Sequence, residues 1–256
     1  WDPDVQFDGA AAKLRLGLSS SGAAGAGADR IALFANLGLF PLDEVELDES
    51  DKWLWAGQAG ATYTFRNESQ FRLAGAFYNY NNITGRINPL NQTIYDFTAP
   101  EILQKGNSLF DISNIDANGD GFVEANQRFG LASDYDILNL TAQFDYARFD
   151  PVHVVVTLDY VNNIGWDEDE IRERIAGRNL IVNSLPPTIV AGTPADDETQ
   201  GYLAKLTVGW PRVSQRNSWQ FTLIYKYLER DAVVDAYAES NFLLGGTNGQ
   251  GWIIEG

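Results

Sequence analysis

Along residues 137 to 161, ILNLTAQFDYARFDPVHVVVTLDYV, apolar side chains stand at every second position on both sides of a short turn. Between them lie Asn139, Thr141, Gln143, Asp145, His153, Thr157 and Asp159. Successive side chains of a strand point to opposite faces, so a period of two predicts two β-strands with one apolar and one polar face each. The same alternation predicts strands at about 10–18, 31–40, 53–65, 70–81, 135–149, 152–163, 200–211 and 218–229, with a ninth starting near Trp252. In 219–228, Trp219, Phe221, Leu223, Tyr225 and Tyr227 share one face and oppose Gln220, Thr222 and Lys226. In 53–65, Trp53, Trp55, Ala59, Ala61, Tyr63 and Phe65 oppose Gln58, Thr62 and Thr64. Aromatic residues mark the strand ends, and small or aliphatic ones fill the middle.

The connections alternate as well. Short links around 19–30, 67–69, 150–151 and 213–217 interleave with long ones near 41–52, 82–134, 164–199 and 230–251. Loops longer than about 15 residues are uncommon in compact soluble domains, and here they all fall at the same end of the strands. Strands of roughly ten residues, apolar on one side, girdled by aromatics and joined by short turns at one end and long loops at the other, predict an all-β fold. The expected architecture is an antiparallel up-and-down transmembrane β-barrel, with short periplasmic turns and long extracellular loops. A spanning sheet must close so that no backbone group is left unpaired in lipid. A soluble β-sandwich or solenoid has the same alternation with its apolar face turned inward. The aromatic ends and the one-sided long loops favour the barrel. Bacterial barrels have even strand numbers, so nine strands predict a partial barrel, with residues 1–256 forming a single domain.

Composition narrows the function classes. The chain is 45% hydrophobic and 12% aromatic with 24 glycines, which suits strands and turns and is enough to bury a core. A formal charge of −17 opposes binding to the phosphate backbone of nucleic acid, which needs clustered Lys and Arg. The absence of cysteine removes disulfides, thiolate metal sites and thiol nucleophiles. No run of about 20 apolar residues predicts a transmembrane helix. The chain opens at Trp1 inside the pattern and lacks a signal peptide, so a mature or partial chain is expected.

Candidate chemistry is sparse. With one histidine, His153, neither a Ser-His-Asp triad nor a histidine metal cluster can be assembled, so a non-enzymatic protein is expected and His153 is read as a wall residue. The strip AAGAGADR at 23–30 lacks the lysine of a phosphate loop and is read as a hairpin end. In DANGDGFVE, Asp116, Asn118 and Asp120 alternate before Gly121, the spacing of the first half of an EF-hand loop. Phe122 supplies a carbonyl and Glu124 the ninth position, while Gln127 replaces the usual acid at the twelfth. A Ca²⁺ site in 116–127 and a plain Asn-Asp-Gly turn are both open. DEDEIRERI at 167–175 predicts a short helix with acids at its N-terminal end and Glu170 four residues before Arg174. The acidic loops read as a solvated rim, or as a surface that bridges divalent cations to lipopolysaccharide.

If the apolar face meets lipid, the other face lines a pore. The pore-lining set is Lys13, Arg15, Arg72, Gln143, Asp145, Asp159, Lys205 and Lys226, a mildly basic wall in an acidic chain. Lys and Arg rings favour anions.

Several blocks also resemble a known family. They are LFANLGLFPLDEVELDESDKWLWAGQAG (33–60), AGAFYNYNNITG (74–85), GNSLFDISN (106–114), FGLASDYDILNL (129–140) and YKYLERDAVVDAYAESNFLLGGTNGQGW (225–252). Over most of residues 30–256 the chain is similar to the bacterial putative porins. The resemblance implies a Gram-negative outer-membrane barrel that acts as a passive diffusion channel for small hydrophilic solutes, in contact with outer-membrane lipid and lipopolysaccharide. It implies no required cofactor. Trimers are common among porins, so a homo-oligomer is also expected, although no sequence feature specifies its interface. Such proteins end in a strand closing with an aromatic residue, whereas this chain ends at Glu255-Gly256, which again predicts a fragment. The competing functions are a structural or anchoring barrel in a larger envelope complex and a secreted Ca²⁺-binding β-sandwich adhesin.

Overall fold

Residues with alternating faces pair with their neighbours in sequence. In a computed structural model describing residues 7–19, 29–45, 50–120, 128–182, 188–190 and 197–256, they build one long antiparallel sheet. In chain order the strands are β1 (Ala10–Ser19), β2 (Arg30–Asp43), β3 (Lys52–Thr64), β4 (Gln70–Asn81), β5 (Ser108–Asp111), β6 (Phe129–Leu131), β7 (Asp136–Phe149), β8 (Val152–Asn163), β9 (Leu180–Val182), β10 (Thr188–Val190), β11 (Gln200–Gly209), β12 (Gln220–Leu228) and β13 (Gly249–Glu255). The large sheet runs β1-β2-β3-β4-β7-β8-β11-β12-β13. Among the described residues it stays open, with β1 and β13 as its edges. The nine strands expected from the pattern are these nine.

The register carries the two faces across the sheet without a slip through its middle. Leu73 pairs with Ala142 and Ala142 with Leu158, while Arg72 pairs with Gln143 and Gln143 with Thr157. One face therefore collects Leu16, Leu33, Leu73, Leu140, Leu158 and Phe221, all of them exposed; Leu140 is 58% and Leu158 53% accessible. A soluble sandwich would bury such side chains, at roughly 1.5–3 kcal/mol each. Here they form an unpartnered apolar surface. The opposite face, onto which the long connections fold, is called the inner face below.

The inner face changes character along the strands. Near the long connections it is apolar. Leu54, Tyr80 and Ile137 are buried there with Ile83, Leu109, Leu131, Tyr135 and Val234 from the loops, and Phe40, Tyr78 and Val161 pack at the margin. Nearer the short turns it is polar. The turn after β3 is tight: the Phe65 amide donates to the Ser69 carbonyl (2.8 Å), and Glu68 takes the left-handed backbone at φ 62°.

Two long connections build a second, four-stranded sheet in the order β10-β9-β5-β6. Behind it lies helix α1 (Glu168–Ile175), whose Ile171 and Ile175, one turn apart, are buried against Phe110, Ile112, Ala132 and Leu180. Asp167 caps the helix by accepting from the Glu170 amide at 3.0 Å. Arg174 reaches Asp134 at 2.6 Å, closer than the Glu170 partner expected from sequence spacing, at 3.9 Å. Loss of an N-cap acceptor costs about 1 kcal/mol. Asp167→Ala is accordingly expected to speed hydrogen exchange in the first turn of α1 about fivefold, with the wall strands unaffected.

Candidate functional site

The polar part of the inner face is built row by row through the strand register. One row runs Thr62, Arg72, Gln143, Thr157, Lys205, Ile224 from β3 to β12. The next runs Arg15, Phe34, Gly60, Ala74, Thr141, Asp159, Leu203, Lys226. Lys13 lies opposite Asn36, and Asp145 opposite Gln70 and Val155. All eight residues singled out in the sequence thus share this face, although they are spread across it. At about 4.8 Å per strand, Arg72 and Lys205 stand roughly 14 Å apart in their row.

The wall acids are satisfied locally. Asn139 Nδ2 donates to Asp159 Oδ1 (2.8 Å) and the Thr141 hydroxyl to Oδ2 (2.6 Å). His153 Nδ1 lies 2.8 Å from Asp145 Oδ1, so the lone histidine is a wall residue bound to a wall acid. Gln143 Nε2 donates to Thr157 Oγ1 at 3.0 Å. The wall cations are arranged otherwise. Arg72 lies over the Phe34 ring (4.4 Å) and the Lys226 ammonium over the Phe242 ring (4.9 Å). Among the described residues, no carboxylate lies within ion-pairing distance of Lys13, Arg15, Arg72, Lys205 or Lys226.

A strap, residues 229–248 between β12 and β13, crosses the apolar part of the inner face. Its Val234 enters the core, and its Tyr237 ring stacks on Tyr80, with centroids 6.0 Å apart at 14°. Polar side chains at a buried hub hold it in place. The Ser108 amide and hydroxyl donate to Asp231 Oδ1 (2.8 Å) and Oδ2 (2.6 Å), and the Tyr135 hydroxyl donates to Oδ1 (3.0 Å). Asn107 Nδ2 donates to the carbonyls of Arg230 (2.8 Å) and Val233 (2.9 Å), while its Oδ1 accepts from the Asp235 amide (2.7 Å). Asn163 Nδ2 donates to the Asp231 carbonyl at 2.9 Å. The backbone there is closely packed: Gly106 has φ +125°, and the Thr247 amide donates to the Lys105 carbonyl at 2.7 Å. A side chain at Gly106 would run into Thr247.

Burial governs the titration of this hub. It pushes the Asp231 carboxyl up against the lowering effect of its Ser108 bonds, and pushes Asp235 up to about 7, with the neighbouring Asp231 charge adding to the shift. Burial likewise raises the Tyr135 hydroxyl well above its ordinary value and takes Tyr237 to about 12.

Between strap and wall lies a cleft of about 380 Å³. Tyr78, Ile137, Leu203 and Val233 give it apolar sides, and Asn139, Asp159, Lys226 and Glu239 give it polar ones. A second cleft, of about 330 Å³, lies on the other side of the Tyr80–Tyr237 stack, beside Lys52 and Asp43. Of the residues lining it, Asp159 and Lys226 are among those singled out in the sequence, and Tyr78, Tyr80, Tyr237 and Glu239 are not. The available signal was the pair Tyr78 and Tyr80, aromatic residues at positions of β4 that share a face with Arg72.

The loop with EF-hand spacing is only partly within the described residues, since Phe122 and Glu124 lie outside them. Asp116 Oδ1 accepts from the amides of Gly119 (2.6 Å) and Asp120 (3.1 Å), and Asn118 Oδ1 accepts from the Asp120 amide (2.9 Å). These are turn bonds. Among the described residues no three His, Asp or Glu side chains gather closely enough to hold a metal ion.

No helix among the described residues is long and apolar enough to cross a membrane, which leaves spanning by strands untouched. Comparison with curated proteins and with solved structures gave no match. A family model described as "Putative porin" matches residues 1–256, the whole chain. A match of that extent establishes membership, and the chain belongs to this porin family.

Proposed function

We propose that the chain forms the wall of a bacterial outer-membrane β-barrel, a passive diffusion channel for small hydrophilic solutes and ions. One observation carries the reading: a nine-stranded sheet exposes leucine, valine and aromatic side chains on one face while its other face holds hydrogen-bonded polar and cationic ones. Lipid accommodates the first face and water the second. In hydrocarbon, unpaired strand edges are untenable, so in this reading β1 and β13 each meet a further strand when the barrel closes. The long connections, including the acidic first turn of α1, then face the lipopolysaccharide side.

The lumen prefers anions. Asp145 and Asp159 have hydrogen-bond donors of their own, whereas the five wall cations form no ion pair among the described residues, and Lys13, Arg15 and Arg72 are exposed. In planar bilayers the protein is expected to give discrete ohmic conductance steps and, under a salt gradient, a reversal potential of anion-preferring sign. Neutralising Arg72 and Lys205 to glutamine moves that potential toward cations. Absence of conductance would favour a sealed barrel with an anchoring role. A cation preference indifferent to both substitutions would remove these residues from the lumen.

A further inference from the structure

The cleft between strap and wall has the make-up of a ligand site. Its volume of about 380 Å³ falls in the range of roughly 300–1,000 Å³ typical of small-molecule sites. It also lies on the inner face, where a permeating solute would meet it. We propose that it binds an uncharged polyhydroxylated solute, a mono- or disaccharide, during passage; this rests on the channel reading above.

Lys226 is the first reason. Its ammonium has three donors, is partly withdrawn from water, lies over the face of Phe242, and feels the Glu239 carboxylate across the cleft without a hydrogen bond or ion pair among the described residues. Its donors thus lack a hydrogen-bond acceptor in the cleft, an arrangement that is costly for a partly desolvated ammonium, and a ligand hydroxyl supplies one. Asp159 is the second. It stands two strands away in the same row, about 10 Å at the usual strand spacing, roughly the length of two linked sugar rings. Each of its oxygens receives one donor, leaving acceptor capacity for a ligand hydroxyl. The sign of the charges is the third. A fully anionic solute meets the carboxylates of Asp159 and Glu239, and a cation meets Lys226. A neutral molecule rich in hydroxyls donates to the acids and accepts from the lysine at once. The C–H faces of such a ring pack on Tyr78 and Leu203, as amphipathic ligands do on aromatic walls.

The test uses the membrane-reconstituted protein and the same protein in detergent. Maltose and sucrose are expected to block the ion current saturably in the millimolar range, while poly(ethylene glycol) of similar size reduces it only in proportion to its concentration. Lys226→Met and Asp159→Asn should each raise the half-blocking concentration about tenfold, the loss of a single charge-assisted hydrogen bond. The far-UV circular dichroism of a folded sheet guards against misfolded variants. Calorimetric titration of maltose in detergent reads the site without any reliance on conductance. Conducting channels with neither saturable block nor heat from maltose would overturn the site and leave the channel standing. Heat without conductance would overturn the channel and leave the site. Block by acetate or an amino acid but not by maltose would assign the cleft to another ligand class and overturn the proposal.

Discussion

Asp231→Ala is expected to detach the strap 229–248 from the wall, raising hydrogen exchange of its amides by two to three orders of magnitude and increasing the open-channel conductance. Asp231 is 2% accessible and accepts three hydrogen bonds, from the Ser108 amide, the Ser108 hydroxyl and the Tyr135 hydroxyl. Removal of the carboxylate leaves three buried donors without an acceptor. Each buried donor left without an acceptor costs about 1–3 kcal/mol, and each 1.4 kcal/mol is a factor of ten in the opening equilibrium. Asp231→Asn should be milder. Its carbonyl oxygen still accepts from the Ser108 amide and the Tyr135 hydroxyl, and the Ser108 hydroxyl can turn to accept from the new amide. Mass-spectrometric exchange resolved to peptides of the strap decides the matter. Equal exchange in wild type and the alanine variant would mean that the hub does not hold the strap.

Docking of the strap is also expected to weaken as the pH rises from about 4 to 7, so that conductance climbs toward neutral pH. Burial holds the Asp235 carboxyl at about 7 against an ordinary 3.8, and Asp231 is displaced in the same direction. The docked strap therefore keeps a proton that the released strap gives up. The sign follows by linkage. The stabilising contribution is complete below pH 3.8, declines as the pH rises through that interval, and is gone above about 7. A few kcal/mol of docking free energy change across the window. The groups facing the Asp235 carboxyl include Asp231, the buried Tyr135 hydroxyl, and the amides of Ala236 and Gln104 that donate to it, while its own backbone amide donates to Asn107 Oδ1. Asp235→Asn should flatten the profile of exchange rate against pH. A profile of opposite slope, or one that the substitution leaves intact, would count against the assignment.

The wall was legible in the sequence because each strand meets two unlike environments. The alternation in Leu138 to Tyr146 or Tyr202 to Val208 survives because nothing covers the outer side chains, and the polar partners then fall on one face by register alone. The same logic failed at the loop ends of the strands. Leu54, Tyr80, Ile137 and Val161 sit on the inner face and are apolar because the loops cover them, so both faces there are hydrophobic and the period disappears. Their partners, Ile83, Leu109, Leu131 and Val234, are remote in sequence. The small sheet was invisible for a related reason. Strands such as Phe129–Leu131 and Leu180–Val182 are too short to establish any period. The loops were read as a solvated acidic rim, yet they carry a buried polar hub. Asn107 and Asp231 lie in two of the blocks, 106–114 and 225–252, that resemble the family, which was the one hint that those positions are more than a rim.

The pairing of β5 with β9 also bears on the order of assembly. Hairpins such as β3–β4 and β7–β8 can zip from local encounters across tight turns with little loop-closure entropy, whereas β4–β7 and β8–β11 close only across the long connections. β5 and β9 come from different connections, with the whole β7–β8 hairpin between them. Their meeting, like that of β4 with β7, is a high-contact-order event, since Ser108 and Val182 are about as far apart in sequence as Gln70 and Asp145. The small sheet is thus expected to mature after the local hairpins, and on the outer-membrane reading proposed above lesions in it leave inserted but uncapped walls in place of chains that fail to insert.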